Sequence, residues 1–294
     1  MNRVLALVML AVPAYAQTGL GKSSFTCLDK DGDGYGVGPG CLGPDADDND
    51  STVQNASQAI AKYGTLQAFL AHLGYNPGHI FYLSTSGNDS TGVVNDPTHP
   101  YRTWSKINLL MAHGAFLPGD MVMFRRGTWT GTTIAPIGGV SGHPVILMAY
   151  PGETVWIDNH LTGATEIQMV NTSFITVDGL KVTGGLGTSG CISGGTTFNQ
   201  TSSTAHDIVV RNLEATNCLQ GLIFMNGLLN LTMEDNVVHG SSAGGQHCIY
   251  IGSRALPSTN LTLRRNICYD AAWNGFHING RFTNLQVDQN VIYE

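Results

Sequence analysis

Seven aspartates between residues 29 and 50 form the densest group of chemically active side chains in the sequence. They alternate with Gly and other small residues, so several carboxylate oxygens can converge on one flexible turn. These residues are Asp29, Asp31, Asp33, Asp45, Asp47, Asp48 and Asp50. Like charges at this density repel one another unless a cation neutralises them. Because hard oxygen ligands at flexible spacing suit Ca²⁺ better than a transition metal, the segment predicts a calcium site.

An EF-hand does not explain the aspartate-rich segment. The Glu expected at the twelfth loop position is absent, because that position, counted from Asp29, is Gly40. The pattern instead resembles the Asp-x-Asp-Gly-Asp-Gly-Tyr-Gly metal-binding motif of secreted bacterial proteins, which is akin to thrombospondin type 3 calcium repeats. Some relatives carry Cys where this chain has Ala46. The resemblance implies a structural role for calcium, and a disordered acidic linker is the alternative.

A second group of chemically active residues lies in the C-terminal part of the chain. The candidates for catalysis are His247, Tyr250, Arg254, His277 and Arg281, and the candidates for substrate binding are Phe224, Trp273 and Asn274. A His or Tyr can move a proton, and an Arg can stabilise an anionic intermediate. Each also has a structural explanation: His247 as a loop cap, Arg281 as a solvated charge, and His277 as a surface residue bonded to the next strand. His239 and Lys181 are more distant candidates.

Repeated short strands position these residues. Five segments share one alternating apolar and polar pattern, and they align on Ile175, Ile208, Leu231, Leu261 and Leu285. The spacings of 33, 23, 30 and 24 residues fit coils of one solenoid joined by loops of varying length. At equivalent turns the chain carries Asn236, Asn266 and Asn290, which predict an asparagine ladder.

A second strand recurs within the same coils, at residues 222–226, 248–252 and 275–279. We expect the alternate residues Ile223, Met225, Ile249, Ile251, Phe276 and Ile278 to point inward. Phe224, Tyr250 and His277 would then form an outward column. This column is the predicted site.

The N-terminal part of the chain predicts one helix over residues 59–73, a strand beginning at Phe81 and a short helix after Trp104. Two pairs of segments here resemble secreted parallel β-helix proteins of the pectate-lyase-like group. They are Phe81-Tyr82-Leu83-Ser84 with Pro100-Tyr101-Arg102-Thr103-Trp104, and Pro118-Gly119-Asp120 with Gly127-Thr128-Trp129. The resemblance implies a right-handed parallel β-helix. In that group, lyases bind an extended polysaccharide in a groove and remove the proton α to a uronate carboxyl, often with Ca²⁺.

Two other functions stay open at this stage. Acid-catalysed hydrolysis needs two carboxylates at a defined separation. The outward candidates are Asp178, Glu234, Asp235, Asp270 and Asp288. Because the paired-Asp motifs of β-helical polygalacturonases are not evident, a hydrolase ranks second. A non-catalytic glycan-binding or adhesin-like β-helix is the third possibility, since fold does not fix function. The pairs Gly184-Gly185 and Gly194-Gly195 are interpreted as turns.

Composition narrows the class of protein. Charged residues make up only 12%, Gly is abundant at 37 residues, and the net charge is −7. Low charge with many turn residues indicates a β protein. The acidic balance argues against a nucleic-acid partner, which needs clustered Lys and Arg.

The N-terminus predicts export. Arg3 precedes an apolar run that ends in Ala14-Tyr15-Ala16, the pattern of a signal peptide over residues 1–16. No later stretch predicts a membrane span. Of six cysteines, Cys27 and Cys41 bracket the acidic loop and are the best disulfide pair. For Cys191, Cys218, Cys248 and Cys268, no pairing is favoured over a buried free thiol.

The sequence therefore predicts an all-β protein, a single right-handed parallel β-helix with short N-terminal helices and an Asp-rich calcium loop. The expected units are a signal peptide (1–16), a calcium-binding segment (17–55), a helical connector (56–80) and the β-helix (81–294). Because the chain ends inside a repeat, we expect the native protein to continue. The expected function is a secreted or periplasmic, monomeric polysaccharide lyase acting on a uronate-containing polymer.

Overall fold

The computed structural model describes residues 26–159, 165–185, 190–196, 205–240 and 247–293, apart from the side chains of residues 225 and 254. The helices are α1 (Ala56–Tyr63), α2 (Leu66–His72) and α3 (Trp104–Ala112). The strands are β1 (Ile80–Leu83), β2 (Met121–Phe124), β3 (Gly127–Thr130), β4 (Val145–Ala149), β5 (Val155–Asp158), β6 (Ile167–Val170), β7 (Ile175–Asp178), β8 (Lys181–Thr183), β9 (Ile192–Gly195), β10 (His206–Arg211), β11 (Glu214–Thr216), β12 (Leu222–Met225), β13 (Leu229–Glu234), β14 (Val237–His239), β15 (His247–Arg264), β16 (Ile267–Tyr269), β17 (Asn274–Asp288) and β18 (Val291–Tyr293). The predicted signal peptide, residues 1–16, lies outside the described residues.

The strands wind into a solenoid with three parallel faces. Sheet 1 contains β1, β2, β4, β7, β10, β13 and the C-terminal halves of β15 and β17. Sheet 2 contains β6, β9, β12 and the N-terminal halves of β15 and β17. Sheet 3 contains β3, β5, β8, β11, β14, β16 and β18. From β4 onward, successive strands visit sheets 1, 3 and 2 in turn, so the predicted all-β parallel β-helix is confirmed.

The predicted repeat alignment is the register of sheet 1. Ile208 pairs with Ile175 on one side and with Leu231 on the other, and Leu261 pairs with Leu231 and Leu285. The first four of these side chains along the chain are buried, and Leu285 is partly buried. Burying each stabilises the fold by about 1.5–3 kcal/mol relative to exposure. The stacked aliphatic column therefore holds consecutive coils in register.

The predicted asparagine ladder is present at the turn between sheets 1 and 3. Asn236 Nδ2 donates to Asn266 Oδ1 at 2.8 Å, and Asn266 Nδ2 donates to Asn290 Oδ1 at 2.9 Å. Each side chain also bonds backbone groups, as where Asn236 Nδ2 donates to Val210 O at 3.0 Å. Since Asn236 and Asn266 are fully buried, the ladder satisfies polar groups that water cannot reach.

The predicted single helix over 59–73 is wrong, because the structure divides it into α1 and α2. Gly64 adopts a positive φ of 85° and ends α1, and the Thr65 side chain accepts from the Ala68 N–H to begin α2. Phe69 and Leu70 of α2 are buried. The predicted short helix after Trp104 is confirmed as α3, whose buried Trp104 and Ile107 join the solenoid core beside the first coil.

All six cysteines form disulfides. The predicted Cys27–Cys41 bond is confirmed. The remaining four pair as Cys191–Cys218 and Cys248–Cys268, so the preference for buried free thiols is wrong. Spacing alone does not reveal these two bonds, because each joins residues that the solenoid winding brings together.

The Asp-rich segment packs on the side of the solenoid. Leu28 and Val37 form an antiparallel bridge and pack against Val237, Ile267 and Tyr269 on the outer face of sheet 3. On the same segment, Lys30 lies 3.4 Å from both Asp48 and Asp235. The segment is therefore attached to the coils by apolar contacts and by ion pairs.

Candidate functional site

The outer face of sheet 2 carries an outward column of side chains, as the sequence predicts. In this column Ile223 takes the place expected for Phe224. Tyr250 pairs in register with His277 on one side and with Ile223 on the other. Ile223, expected to point inward, therefore belongs to the outward column. Phe224, expected in that column, pairs with Ile251 and is fully buried.

The prediction that Phe224 faces a substrate is therefore wrong, and its neighbours explain why. A Cβ at Gly194 on the adjacent strand would overlap the Phe224 ring. The ring thus fills core space that Gly194 leaves open. Gly194 and Gly195 lie inside β9, so their interpretation as a turn is also wrong.

Two histidines meet on this face. His247, at the start of β15, is 4% exposed, and its Nε2 lies 2.9 Å from Nδ1 of the half-buried His277 on β17. The rings are 4.5 Å apart and inclined at 75°. The parallel register pairs His247 with Asn274 and Tyr250 with His277, so the two histidines lie on adjacent strands and their side chains meet across the three intervening positions.

The pair holds little positive charge at its buried end. Burial, followed by the charge of His277, lowers the pKa of His247 to about 4. His247 is therefore neutral at physiological pH. One nitrogen of each ring faces the other ring, so a single proton bridges the two in the neutral pair.

Aromatic rings surround the pair on the solvent side. The Tyr250 ring lies 4.9 Å from His277 and 5.6 Å from His247. Trp273 lies 6.2 Å from His247 and is 68% exposed. A large exposed aromatic beside polar groups is a typical platform for a ring-shaped ligand with apolar and hydroxyl faces.

The other expected members of the site are placed differently. Asn274 Nδ2 lies 3.3 Å from His247 Nδ1, so Asn274 joins the pair. Arg281 is exposed and donates to the Ala255 carbonyl at 2.7 Å. The side chain of Arg254 lies outside the described part of the structure. His239 and Lys181 are on sheet 3, where both contact Glu214.

Three of the five carboxylates considered for hydrolysis belong to a ladder of alternating charge. Across sheet 1, one register column consists of Asp178, Arg211, Glu234, Arg264 and Asp288. Arg211 Nε donates to Asp178 at 2.9 Å, and Arg264 Nε donates to Glu234 at 2.7 Å. Opposite charges on adjacent strands stabilise the sheet.

Further bonds engage the same carboxylates. Asp178 also accepts from the buried Tyr75 hydroxyl and from Asn212. Asp235 accepts two bonds from Arg265. Hydrolysis requires one proton-donating and one free carboxyl. Carboxylates that accept hydrogen bonds from arginine are poorly suited to the first role.

The Asp-rich segment gathers oxygen ligands. Carboxylate oxygens of Asp29, Asp31 and Asp33 lie within 4.8 Å of one another, so this group is able to hold a metal ion. Asp31 Oδ2 and Asp45 Oδ2 are buried and have no hydrogen-bond partner within the part of the chain that the structure describes. Burial, opposed by the Asp47 N–H and reinforced by the charges of Asp33 and Asp31, raises the pKa of Asp45 to about 7. These residues fit a hard cation.

The remaining aspartates of the predicted calcium site have other partners. Asp47 lies 2.9 Å from His72 Nε2, and Asp50 pairs with Lys62. Asp48 accepts from the Lys30 N–H at 2.9 Å. The structure thus divides the seven acids into a converging group and a group that contacts His72, Lys62 and Lys30.

A cavity of about 430 Å³ separates this segment from the solenoid. Its charged lining residues include Lys30, Asp48, Lys181, Arg211, Glu234 and Arg265. Each of them takes part in an ion pair. The cavity lies beside the charge ladder and apart from the two histidines.

Three features escaped the sequence analysis. Asn279 Nδ2 lies 3.2 Å from His277 Nε2, whereas the sequence places Asn279 only at the end of the strand 275–279. Glu166 is fully buried, and its carboxylate oxygens have no hydrogen-bond partner among the described residues. A second ladder, Asp207, Asn230, Asn260 and Asn284, runs along sheet 1. Its signal was present, because each member precedes an aligned Ile or Leu.

Comparison with known proteins supports the fold. The chain resembles a lacto-N-biosidase of glycoside hydrolase family 136 from Eubacterium ramulus, with a TM-score of 0.50, 11% identity, and coverage of 80% of this chain and 57% of that one. Pectate lyase Pel9A gives a TM-score of 0.45 and 14% identity, over 69% of this chain and 50% of that one. A rhamnogalacturonan lyase gives 0.39 and 14%, over 72% and 63%.

The chain thus spans about half the length of the pectate lyase that it resembles. No protein-family model matches the sequence, and no curated protein matches it. Within the described ranges, no helix has the length and apolar character needed to cross a membrane. The likeness to solved structures therefore concerns architecture, and function depends on the site itself.

Proposed function

We propose that the protein is a carbohydrate-active lyase that cleaves a uronate-containing polysaccharide by β-elimination. The observation that carries this proposal is the His247–His277 pair on the outer face of sheet 2, bordered by Tyr250 and Trp273. An imidazole without an acidic partner at a partly exposed site is suited to proton abstraction.

His277 acts as the base in this proposal. It removes the proton α to the uronate carboxyl, while the neutral His247 holds the ring in place through the 2.9 Å contact. The Tyr250 hydroxyl donates a proton to the leaving glycosidic oxygen, since its ring lies 4.9 Å from His277. Trp273 stacks on a sugar ring. Arg281 lies on the same strand as His277, four residues further along the chain. In this proposal it binds the uronate carboxylate.

Calcium occupies the Asp-rich segment in this account. Asp29, Asp31, Asp33 and Asp45 are the residues that would hold it, and Asp48 lies beside them. Bound there, the ion neutralises carboxylates that otherwise repel one another. The segment packs on sheet 3 through Leu28 and Val37, away from the two histidines. A bound ion would therefore stabilise the packing of this segment on the solenoid and take no part in the reaction.

The organisation of the chain is proposed on the same basis. Three disulfides are consistent with an extracellular or periplasmic protein. We assign residues 1–16 to a signal peptide, 17–55 to the calcium segment, 56–80 to the helical connector and 81–294 to the β-helix. We propose that the protein acts as a monomer on a polysaccharide partner.

The test is an absorbance assay for unsaturated uronates. Purified protein is incubated with pectate, alginate and glycosaminoglycans, with Ca²⁺ or with a chelator. Growth of the signal on one polymer supports the lyase and names its substrate class. New reducing ends without absorbance indicate a hydrolase and contradict the proposal. Retained polymer binding with neither product indicates a glycan-binding module and also contradicts it.

A further inference from the structure

The two histidines are the centre of a longer chain of polar side chains. Asn274 Nδ2 lies 3.3 Å from His247 Nδ1, His247 Nε2 lies 2.9 Å from His277 Nδ1, and His277 Nε2 lies 3.2 Å from Asn279 Nδ2. All four ring nitrogens therefore have a partner, and an asparagine lies at each end.

Such a chain has only two consistent proton arrangements. A neutral imidazole donates from one nitrogen and accepts at the other. If His277 carries its proton on Nδ1, it donates to His247 Nε2, and His247 must donate from Nδ1 to an Asn274 oxygen. In the reverse arrangement, His277 donates from Nε2 to an Asn279 oxygen. Rotating an asparagine amide exchanges its oxygen and nitrogen, so each asparagine can serve either arrangement.

The two ring nitrogens of His277 differ in access to solvent. His247 is 4% exposed, so His277 Nδ1 faces a buried ring, whereas Asn279 beside Nε2 is exposed. A substrate can approach only the Nε2 side. The 3.2 Å contact to Asn279 is also longer than the 2.9 Å contact to His247, and is the easier one to displace.

We propose that Asn274 and Asn279 are positioning residues that select the tautomer of His277, and that the reactive tautomer carries its lone pair on Nε2. This inference rests on the proposed lyase function. It changes the expected role of Asn274 from substrate binding to positioning, and it gives Asn279 a role.

The proton balance follows from this arrangement. Nε2 takes the proton from the carbon α to the uronate carboxyl, and the C–H electron pair becomes the new C=C bond as the glycosidic C–O bond breaks. The leaving oxygen takes the Tyr250 proton. His277, now an imidazolium, loses its Nε2 proton to solvent, and Tyr250 regains one from solvent.

Two aspartate substitutions test the inference, because a carboxylate only accepts hydrogen bonds at neutral pH. Asn274→Asp requires a proton on His247 Nδ1, which in turn places the His277 proton on Nδ1. Asn279→Asp requires the His277 proton on Nε2. Both variants add the same charge beside the pair, so their common electrostatic effect cancels in the comparison. Asn284→Asp, on the same strand but in the exposed ladder, is the control.

The readouts are the ¹⁵N chemical shifts of the His277 ring nitrogens and the lyase rate. We expect Nδ1–H in Asn274→Asp with a rate within a few-fold of the wild type. We expect Nε2–H in Asn279→Asp with a rate about 100-fold lower, since a misdirected base loses its contribution. The same tautomer in both variants overturns the inference. Opposite tautomers in a protein without lyase activity retain the tautomer selection and reject only the proposed reaction.

Discussion

The outer faces of sheets 1 and 2 use polar residues in opposite ways. On sheet 1, Asp178, Arg211 and Glu234 alternate in charge, and each ion has an opposite partner on a neighbouring strand. On sheet 2, the column ends in His277, which contacts the buried His247, and burial keeps His247 neutral by lowering its pKa to about 4. One face is saturated with ion pairs, and the other has groups that can still exchange protons.

The backbone of the solenoid is nearly the same on each face, so the two faces differ mainly in their side chains. Those of sheet 1 form ion pairs that stabilise the stack, and those of sheet 2 include the imidazoles of the proposed site. A paired charge stabilises the stack but resists a change of protonation, because its oppositely charged partner favours the ionised form. An imidazole bonded to another imidazole and to amides can exist as either of two neutral tautomers. The residue types in a register column therefore distinguish a face held by ion pairs from a face that is a candidate for catalysis.

Glu166 differs from the carboxylates of sheet 1, because it is buried without an ion pair among the described residues. Its substitution should give the largest effect on stability. Burial raises its pKa from 4.5 to about 8. The folded state thus retains a proton that the unfolded chain loses, so the free energy of unfolding falls as pH rises from 4.5 through about 8, by at most about 5 kcal/mol. We expect Glu166→Gln to remove this loss, measured by urea unfolding at about pH 5 and about pH 9.

Glu153→Gln is the matched control for that measurement. Although burial opposes it, the hydrogen bond from Arg125 lowers the pKa of Glu153, so its contribution is lost only as pH falls. An unchanged alkaline loss of stability in Glu166→Gln would show that Glu166 is not the buried acid responsible.

Arg211→Met should give the next largest effect. Removing this guanidinium leaves Asp178, which is 4% exposed, without its cation. We expect a loss of about 3 kcal/mol in the free energy of unfolding, the lower end for a broken buried ion pair. Urea unfolding measures it, with the exposed Arg102→Met as a control near zero. A loss equal to that of the control would mean that the charge ladder does not stabilise sheet 1.

The two asparagine ladders allow the stability contributed by buried polar groups to be compared with that contributed by exposed ones. Asn266→Ala removes bonds to Asn236, Asn290 and the Met233 carbonyl inside the solenoid. We expect it to cost about 2 kcal/mol, because buried groups lose their partners. Asn260→Gly, in the exposed ladder at a φ of 57°, should change stability by less than about 0.5 kcal/mol. Thermal unfolding of both variants gives the comparison, and equal losses would contradict it.

Trp273→Ala should give the smallest effect, confined to sheet 2. The ring is 68% exposed, so folding does not depend on it. We expect KM for the polysaccharide to rise about fivefold, equivalent to about 1 kcal/mol of lost stacking, with kcat and thermal stability unchanged. The control is Leu117→Ala, which removes an exposed apolar side chain elsewhere. A fall in kcat without a change in KM would assign Trp273 a different role.

The solenoid was predictable because its signal is periodic. Each coil places an aliphatic residue at the same inward position, so Ile175, Ile208 and Leu231 reveal the register without knowledge of the loops between them. The ladder asparagines follow the same period. Local patterns that repeat along the chain are sufficient when each coil contacts only its neighbours.

The site was only partly predictable because it depends on a register that one residue can shift. Phe224 was misplaced, since the two-residue period of a strand exchanges inward and outward faces when an alignment is wrong by one. Gly194 was the available signal, because a strand glycine can mark space taken by a neighbouring ring. The contact of Asn279 with His277 depends on side-chain geometry that no spacing rule contains.

The most direct test of the account is the lyase rate of His277→Gln on the polymer that the wild type cleaves, beside His113→Gln, an exposed histidine at the end of α3. The account predicts that His277→Gln loses at least about 100-fold in kcat with an unchanged unfolding midpoint, while His113→Gln retains the wild-type rate. A His277→Gln variant with the full rate would contradict the assignment of the chemistry to sheet 2.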